Sequence, residues 1–311
     1  MSVRAAPERC PACGGEPRER FALAEGVPLL QCRRCLLGWW RWGEFDPRKF
    51  YDRQYFQSAD VSRGYDDYAS LEAGVRRTAR GRLRRVANLL ARTAKPERIT
   101  APRRLYEIGC GTGVFLDEAR NAGWDVRGVE VSDYGVERAR ARGLAVERGE
   151  AEALSRTARA NGEQAQVDCV AMWDVIEHVR DPAGVIRHVA GRLRAGGILA
   201  LSTGDVSSLC ARLSGPRWHL FNLPEHLFFF SPDSLRRLLR AAGCRVIEVT
   251  REVNWSPLTY LVERLGKRVS PLRALTRHSR LARVVLPATL LDVIGVYAVR
   301  EGVECGSRGM T

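Results

Sequence analysis

The sequence predicts an α/β protein in which helices cover both faces of a largely parallel sheet, with a small cysteine module in front of it. The first observation is the alternation of strand-like apolar runs with segments of helical periodicity from about residue 105 onward. The second is a glycine-rich turn, Glu107 to Gly113, that joins such a run to a helix. The third is a pair of C-x2-C motifs near the beginning of the chain.

The basic charge of the chain does not by itself indicate a binding surface. The 311 residues carry a formal net charge of +14, concentrated in residues 71–104 and 251–300. Such segments can meet nucleic acid or an anionic membrane. Nearly all of the basic residues are arginines, however, which indicates a coding bias and favours solvated helix faces. Because the sequence has no apolar run of membrane-spanning length and no signal-peptide core, we expect a cytoplasmic location.

Residues 1–44 are expected to form a zinc ribbon. Two C-x2-C pairs supply its four ligands, Cys10, Cys13, Cys32 and Cys35. Four thiolates complete a closed tetrahedral site, and a segment this short needs the metal for its folding energy. A redox dithiol or unpaired cysteines are the alternatives. Three tryptophans at positions 39, 40 and 42 follow, and we expect them to dock the module on its neighbour rather than stack on a ligand.

Residues 45–98 are expected to be a linker and cap. The first half of this segment is rich in aromatic residues interleaved with Asp and Arg. From Leu71 to Leu90, apolar residues recur at steps of three and four, which predicts one amphipathic helix. The helix is predicted to end near Pro96.

The glycine turn indicates a site for a nucleotide-type cofactor. Gly109, Gly111 and Gly113 follow the apolar run 105–108, and glycine alone takes positive φ cheaply and lets a ligand lie on the backbone. A dinucleotide fingerprint would need a further glycine where Val114 or Leu116 stands. The next apolar run ends at Glu130, where a strand-end acid accepts hydrogen bonds from both ribose hydroxyls.

With Glu130, the turn resembles the class I S-adenosylmethionine-dependent methyltransferases of the small-molecule and glycan type. The resemblance implies a Rossmann-like, doubly wound seven-stranded sheet over residues 99–304, mostly parallel with an antiparallel last strand. It also implies S-adenosylmethionine as the cofactor, with Glu107 orienting the turn and Glu130 on the ribose. The glycines and Cys110 would lie against the methionine part. A glycine-rich turn in some other α/β protein is the alternative.

The remaining elements continue the alternation of strands and helices. The predicted order is a helix at 133–141, a strand at 144–147, a short helix after Gly149, a strand at 167–172, a helix after Pro182, a strand at 197–203, a helix from Pro232 to Gly243, and strands at 245–253 and 294–300. A helical insertion is expected at about 254–290. Its basic amphipathic part, 258–285, is interpreted as a lid or insertion, with contact to anionic lipid or a lipid-linked acceptor as the alternative.

The segment Trp173 to Val179 looks like the motif that lines the cofactor in small-molecule methyltransferases. In that resemblance Asp174 faces the cofactor, and Glu150, or Glu152 in its place, suits the adenine amine. Asp174, Glu177 and His178 also have the residue types of a metal site. Ubiquinone-pathway O-methyltransferases look similar but have glutamate in the place of Asp174. We therefore expect Glu177 and His178 to shape the cleft instead of binding a metal.

The long loop 205–230 contains His226, which with His178 is a candidate general base, since either imidazole can take a proton near neutral pH. The alternative is that both histidines are hydrogen-bonded in the cleft wall. The predicted function is methyl transfer from S-adenosylmethionine to a hydroxyl of a small molecule or glycan. An RNA methyltransferase that binds its substrate through the ribbon, or a catalytically idle zinc-dependent interaction protein, are the alternatives.

Overall fold

The described residues form a seven-stranded sheet, a four-stranded sheet and a two-stranded hairpin, and one apolar cluster contains residues of both larger sheets. The computed structural model describes residues 6–43, 50, 68–93, 102–151, 166–257 and 285–302, without the side chains of 68–71 and 257. The strands are β1 (Pro17–Ala22), β2 (Pro28–Cys32), β3 (Gly38–Trp39), β4 (Arg104–Ile108), β5 (Asp125–Glu130), β6 (Ala145–Arg148), β7 (Val167–Trp173), β8 (Leu193–Gly204), β9 (Phe228–Phe229), β10 (Cys244–Arg251), β11 (Asn254–Pro257), β12 (Val285–Ala288) and β13 (Val293–Arg300). The α-helices are α1 (Tyr68–Thr93), α2 (Val114–Asn121), α3 (Asp133–Ala141), α4 (Pro182–Arg192), α5 (Leu209–Ser214) and α6 (Pro232–Ala241).

The central sheet has seven strands in the order β10-β13-β8-β7-β4-β5-β6. Strand β13 runs antiparallel to both of its neighbours, and the β6-β5-β4-β7-β8 pairs are parallel. This arrangement confirms the predicted Rossmann-like sheet with an antiparallel last strand. The strand order reverses beside β4, so that ligands are expected at the carboxyl ends of β4 and β7.

Helices cover both faces of this sheet. Apolar residues of α1, α2 and α3 pack on one face, and those of α4 and α6 pack on the other. Strand β7 is buried along its whole length, as expected for a central parallel strand. Its residues alternate between the two apolar clusters, with Val170 and Met172 in one and Cys169 and Ala171 in the other.

The cysteine module shares a second sheet with the rest of the chain. The order of this sheet is β1-β2-β3-β9, and its last pair joins Gly38 to Phe229 and Trp39 to Phe228. Cys10, Cys32 and Cys35 belong to the same apolar cluster as α4 and α6. Burial on that cluster therefore stabilises the module in addition to the folding energy that a metal is expected to supply.

Several elements differ from their predicted bounds. Strand β8 begins at Leu193, four residues early, and the loop after it contains α5, a 3-10 turn at Gly215–Arg217 and β9. The hairpin of β11 and β12 was not predicted. The aromatic segment before α1, the helix after Gly149 and the basic stretch 258–284 lie outside the described residues. Among the helices that the structure describes, none combines the length and apolar character needed to cross a bilayer.

Candidate functional site

The glycine turn forms an open cradle at the carboxyl end of β4. Gly109, Gly111 and Gly113 all have positive φ, at 68°, 52° and 80°. A Cβ on Gly109 would lie 2.5 Å from Val175, and one on Gly113 would lie 2.5 Å from Leu144, whereas one on Gly111 would meet nothing within 4 Å. The outer two glycines therefore permit close packing, and Gly111 leaves space in which a ligand can lie on the backbone.

Glu130 ties this turn to the neighbouring strand β5. Its Oε2 accepts a hydrogen bond from the Gly111 N–H at 2.8 Å, and its Oε1 accepts one from the Ser132 N–H at 2.9 Å. The N–H groups of Gly109 and Cys110 donate to the Val129 carbonyl. Burial raises the pKa of Glu130, and the two backbone N–H donors oppose that rise. Glu130 thus binds the backbone of the turn directly, and the role of Glu107 in orienting the turn stays a prediction.

Glu107 instead presents an unpaired oxygen below the cradle. Its side chain is 3% exposed, and Oε2 has no hydrogen-bond partner among the described residues. Burial raises the pKa of Glu107 well above its usual value, with Arg82 acting in the opposite direction. A buried acceptor of this kind is costly unless a donor reaches it. The site therefore fits a ligand that carries an amino group.

Two other predicted cofactor residues differ in their placement. The Cys110 side chain is buried in the apolar cluster of α1 and α2, so that only its backbone belongs to the turn. Glu150 is half-buried and follows Gly149, whose N–H donates to the Glu130 carbonyl at 2.9 Å. Glu150 thus lies at the same edge of the sheet as Glu130.

Asp174 ends β7 in a left-handed backbone conformation, with φ of 55°. Its N–H donates to the carbonyl and the Oγ of Ser202, and the Ser202 hydroxyl donates to its Oδ1 at 2.9 Å. The other carboxylate oxygen lies 3.9 Å from the Arg82 guanidinium, and the side chain is 52% exposed. Strand β8 and helix α1 therefore hold Asp174 at the rim of the cradle.

Arg82 is a site residue that sequence reasoning missed. Its guanidinium lies 4.3 Å from the centre of the Trp173 ring and donates to Glu252 at 2.8 Å and to Ser202 at 3.2 Å. An arginine three residues after Ala79 falls on the apolar stripe of α1, and a charge on a buried face is a signal that could have identified it.

Beyond Asp174, the site contains two histidines and a buried acid. The rings of His178 and His226 meet edge to face, with their centres 4.7 Å apart. One nitrogen or oxygen atom from each of Glu177, His178 and His226 lies within 4.8 Å of the others. The sequence grouped Asp174 with Glu177 and His178 as residue types of a metal site. In the structure, the third member of this group is His226.

Backbone carbonyls determine which ring nitrogen of each histidine carries a proton. His178 Nδ1 lies 2.9 Å from the Glu225 carbonyl, and His226 Nδ1 lies 2.9 Å from the Leu220 carbonyl. Because a carbonyl oxygen only accepts, each Nδ1 must be protonated, which in a neutral His226 ring leaves the lone pair on Nε2. The carbonyl of Glu225 orients His178, and the sequence analysis did not include Glu225 among the site residues.

Burial sets the protonation of this group. It lowers the pKa of His178, and burial together with the neighbouring His178 lowers that of His226 well below the usual value. Burial raises the pKa of Glu177 to about 8 and that of Glu225 to about 7. Both imidazoles are therefore neutral near pH 7 and able to accept a proton.

The four cysteines of the module converge as a metal site requires. Cys10 Sγ lies 3.4 Å from Cys35 Sγ, and Cys13 Sγ lies 3.5 Å from Cys32 Sγ and 3.6 Å from Cys35 Sγ. Thiolates about 2.3 Å from one tetrahedral zinc would be roughly 3.8 Å apart. The donor set and its spacing therefore fit a structural zinc ion.

If these cysteines bind zinc, the purified protein is expected to contain about one zinc per chain. Cys13→Ser should lose most of that metal after extensive dialysis, because three thiolates leave the shell incomplete. Elemental analysis measures the stoichiometry, and Cys244→Ser, in β10 outside the module, is the control. An unchanged zinc content in Cys13→Ser would contradict the assignment.

Comparison with known proteins identifies the family. The family model described as "Methyltransferase domain" matches residues 76–249, more than half of the chain, and includes the glycine turn, Glu130 and the segment after β7. The chain belongs to the class I S-adenosylmethionine-dependent methyltransferases. It is accordingly an enzyme that uses S-adenosylmethionine, as the resemblance implied.

Relatives of this methyltransferase have curated names. The chain is 30% identical over 175 residues to a "Ubiquinone biosynthesis O-methyltransferase" of Bordetella avium, covering 53% of this chain and 70% of that protein. It is 31% identical over 185 residues to a protein of the same name from Marinobacter nauticus, covering 56% of this chain and 76% of that protein. Both alignments are consistent with assignment to the methyltransferase family.

A solved structure has the same fold. Magnesium protoporphyrin IX methyltransferase from Synechocystis with bound SAH matches with a TM-score of 0.51 at 16% identity, over 82% of this chain and 98% of that chain. At this identity the likeness concerns the fold alone.

Proposed function

We propose that this methyltransferase transfers a methyl group from S-adenosylmethionine to a hydroxyl of a small molecule or glycan, with His226 as the general base. The observation that carries the proposal is the imidazole of His226, whose Nδ1–H is bonded to the Leu220 carbonyl, so that the lone pair is on Nε2. The names of the relatives support a hydroxyl acceptor, because they are O-methyltransferases.

The residues around the glycine turn would hold the cofactor. S-adenosylmethionine supplies, when bound, an electrophilic methyl group on a sulfonium. Glu130 would accept hydrogen bonds from the ribose, and Gly111 would let the methionine part lie on the backbone. The unpaired oxygen of Glu107 would accept from the amino group. Glu150 would face the adenine amine, and Asp174 would line the rim.

His226 would act on the acceptor by removing its proton. A hydroxyl becomes a strong nucleophile as it loses its proton, so a positioned base accelerates an in-line displacement. His226 has the stronger claim because its Nδ1–H donates to the Leu220 carbonyl and leaves the lone pair on Nε2, while burial, which lowers its pKa, keeps the ring neutral. His178 would orient the acceptor from the neighbouring 3-10 turn at Ile176–His178.

The acceptor class is tested with S-adenosylmethionine labelled in its methyl group. The enzyme is incubated separately with a phenol that has adjacent hydroxyls, a nucleotide sugar, an alkylamine and a mixed RNA pool. Each incubation is carried out with enzyme taken before and after its dialysis against EDTA. We expect label in a hydroxyl-bearing small molecule, as an ether. Transfer only to the amine or to RNA would contradict the proposal.

The pH profile of kcat/KM tests the base, because this ratio reports on the free enzyme. A proton acceptor must be neutral, and lowering its pKa keeps it neutral at lower pH. We therefore expect kcat/KM for the methylated acceptor to stay level between about pH 6 and 7.5, whereas an ordinary imidazole, with a pKa of about 6.5, would be half protonated at pH 6.5. A decline centred near pH 6.5 would argue against buried His226 as the base.

A further inference from the structure

The cysteine module touches the candidate base directly. The indole Nε1 of Trp40 donates a hydrogen bond to the backbone carbonyl of His226 at 2.9 Å. Two residues further on, β9 pairs with β3 of the module. The hydroxyl of Ser231 then donates to the Cys35 carbonyl at 2.6 Å. Three consecutive contacts therefore attach the stretch 226–231 to the module.

The same stretch is bound from the opposite side by the segment after β7. The N–H of Leu227 donates to the Glu177 carbonyl at 2.9 Å. The backbone of His226 is thus held between Trp40 and the segment that carries Glu177 and His178. With its carbonyl held by the indole and its ring bonded to Leu220, the imidazole has little freedom to turn.

The connection between the cysteines and this contact is short. Trp40 is five residues beyond Cys35, and Trp42 packs edge to face on Phe228, with ring centres 5.1 Å apart. A displacement of the module would therefore be transmitted to the backbone at His226. Neither the glycine turn nor Glu130 contacts the module through a hydrogen bond among the described residues.

We propose that Trp40 is a positioning residue that holds His226 for proton transfer, and that the cysteine module is thereby the wall of the acceptor side of the cleft. The module then controls turnover and the placement of the base while leaving the affinity for S-adenosylmethionine unchanged. The effects on proton transfer and turnover rest on the proposed role of His226. The contact by which Trp40 fixes the conformation of the His226 segment stands without that role.

The full-length variant Trp40→Phe tests this inference, because it keeps an aromatic ring and removes the N–H. Trp39→Phe is the matched control, since the Trp39 indole donates to the Pro7 carbonyl at 3.0 Å inside the module. Each variant is labelled with 15N-histidine to read the tautomers by NMR. Backbone amide exchange at Leu227 and S-adenosylmethionine affinity by calorimetry are measured on the same samples.

In Trp40→Phe we expect the His226 ring signal to shift and broaden and Leu227 exchange to accelerate about tenfold, with unchanged S-adenosylmethionine affinity. Turnover of the phenol or nucleotide sugar should fall about tenfold at unchanged KM for S-adenosylmethionine, as expected for the loss of one orienting hydrogen bond. Trp39→Phe keeps the Trp40 hydrogen bond and should change these four readouts less than Trp40→Phe does.

Equal effects of the two substitutions would overturn the inference, since they would indicate a general loosening of the module. An unchanged His226 signal in Trp40→Phe would also overturn it. A further result distinguishes the positioning contact from the proposed function. If the His226 ring signal shifts in Trp40→Phe while His226→Gln keeps full turnover, the contact is supported and the role of His226 as the base is contradicted.

Discussion

Replacing Glu130 with glutamine is expected to weaken S-adenosylmethionine binding about 100-fold or more. Each carboxylate oxygen of Glu130 accepts a backbone N–H, one from Gly111 and one from Ser132. A glutamine keeps the shape but must turn its NH2 group toward one of these donors. Hydrogen bonds to charged groups contribute about 1.5–3 kcal/mol each, so the loss of one together with a ribose contact gives an effect of this size.

Calorimetric titration with S-adenosylmethionine measures this change directly. Glu147→Gln is the control, because Glu147 is an exposed acid near the carboxyl end of the adjacent strand β6. Circular dichroism and thermal unfolding show whether the Glu130→Gln protein is folded. A folded Glu130→Gln protein that binds the cofactor as tightly as the Glu147→Gln protein would remove Glu130 from the cofactor site.

Replacing His226 with glutamine is expected to reduce kcat about 10²- to 10⁴-fold while leaving S-adenosylmethionine affinity nearly unchanged. Loss of a positioned general base costs a factor of this order. Glutamine can still donate a hydrogen bond to the Leu220 carbonyl but has no basic nitrogen. His188→Gln is the control, since His188 is a half-buried histidine within α4, away from the cleft.

The comparison with His178→Gln decides between the two histidines. We expect a smaller fall in kcat for His178→Gln, with a rise in the acceptor KM, because His178 is proposed to orient the acceptor. The reverse ranking would make His178 the base. Near-normal turnover in both variants would mean that the acceptor hydroxyl loses its proton to another group or to water.

Local sequence patterns were sufficient to predict the central sheet and the glycine turn at the end of β4. Apolar periodicity placed the strands of the central sheet and α3 at 133–141, where the structure has Asp133–Ala141. The spacing of the glycine turn from Glu130 required only that β4 and β5 be adjacent parallel strands, which the Rossmann-like order provides.

Long-range contacts could not be predicted in this way. Arg82 and Glu252 are 170 residues apart, and neither residue type indicates the other as a partner. The sequence suggested Asp174 as the neighbour of Glu177 and His178 because the three are close in the chain, yet His226 takes that place. Only the fold determines which side chains meet across such distances.

The pairing of β3 with β9 has a consequence for the order in which the chain acquires structure during synthesis. Trp40 and its partner His226 are 186 residues apart, and Cys35 and Ser231 are 196 apart. During synthesis the cysteine module therefore keeps one sheet edge unpaired until the chain has been made as far as β9. Closing so long a loop is slow. A metal bound early at the cysteines would keep the module folded until β9 has been made and can pair with β3.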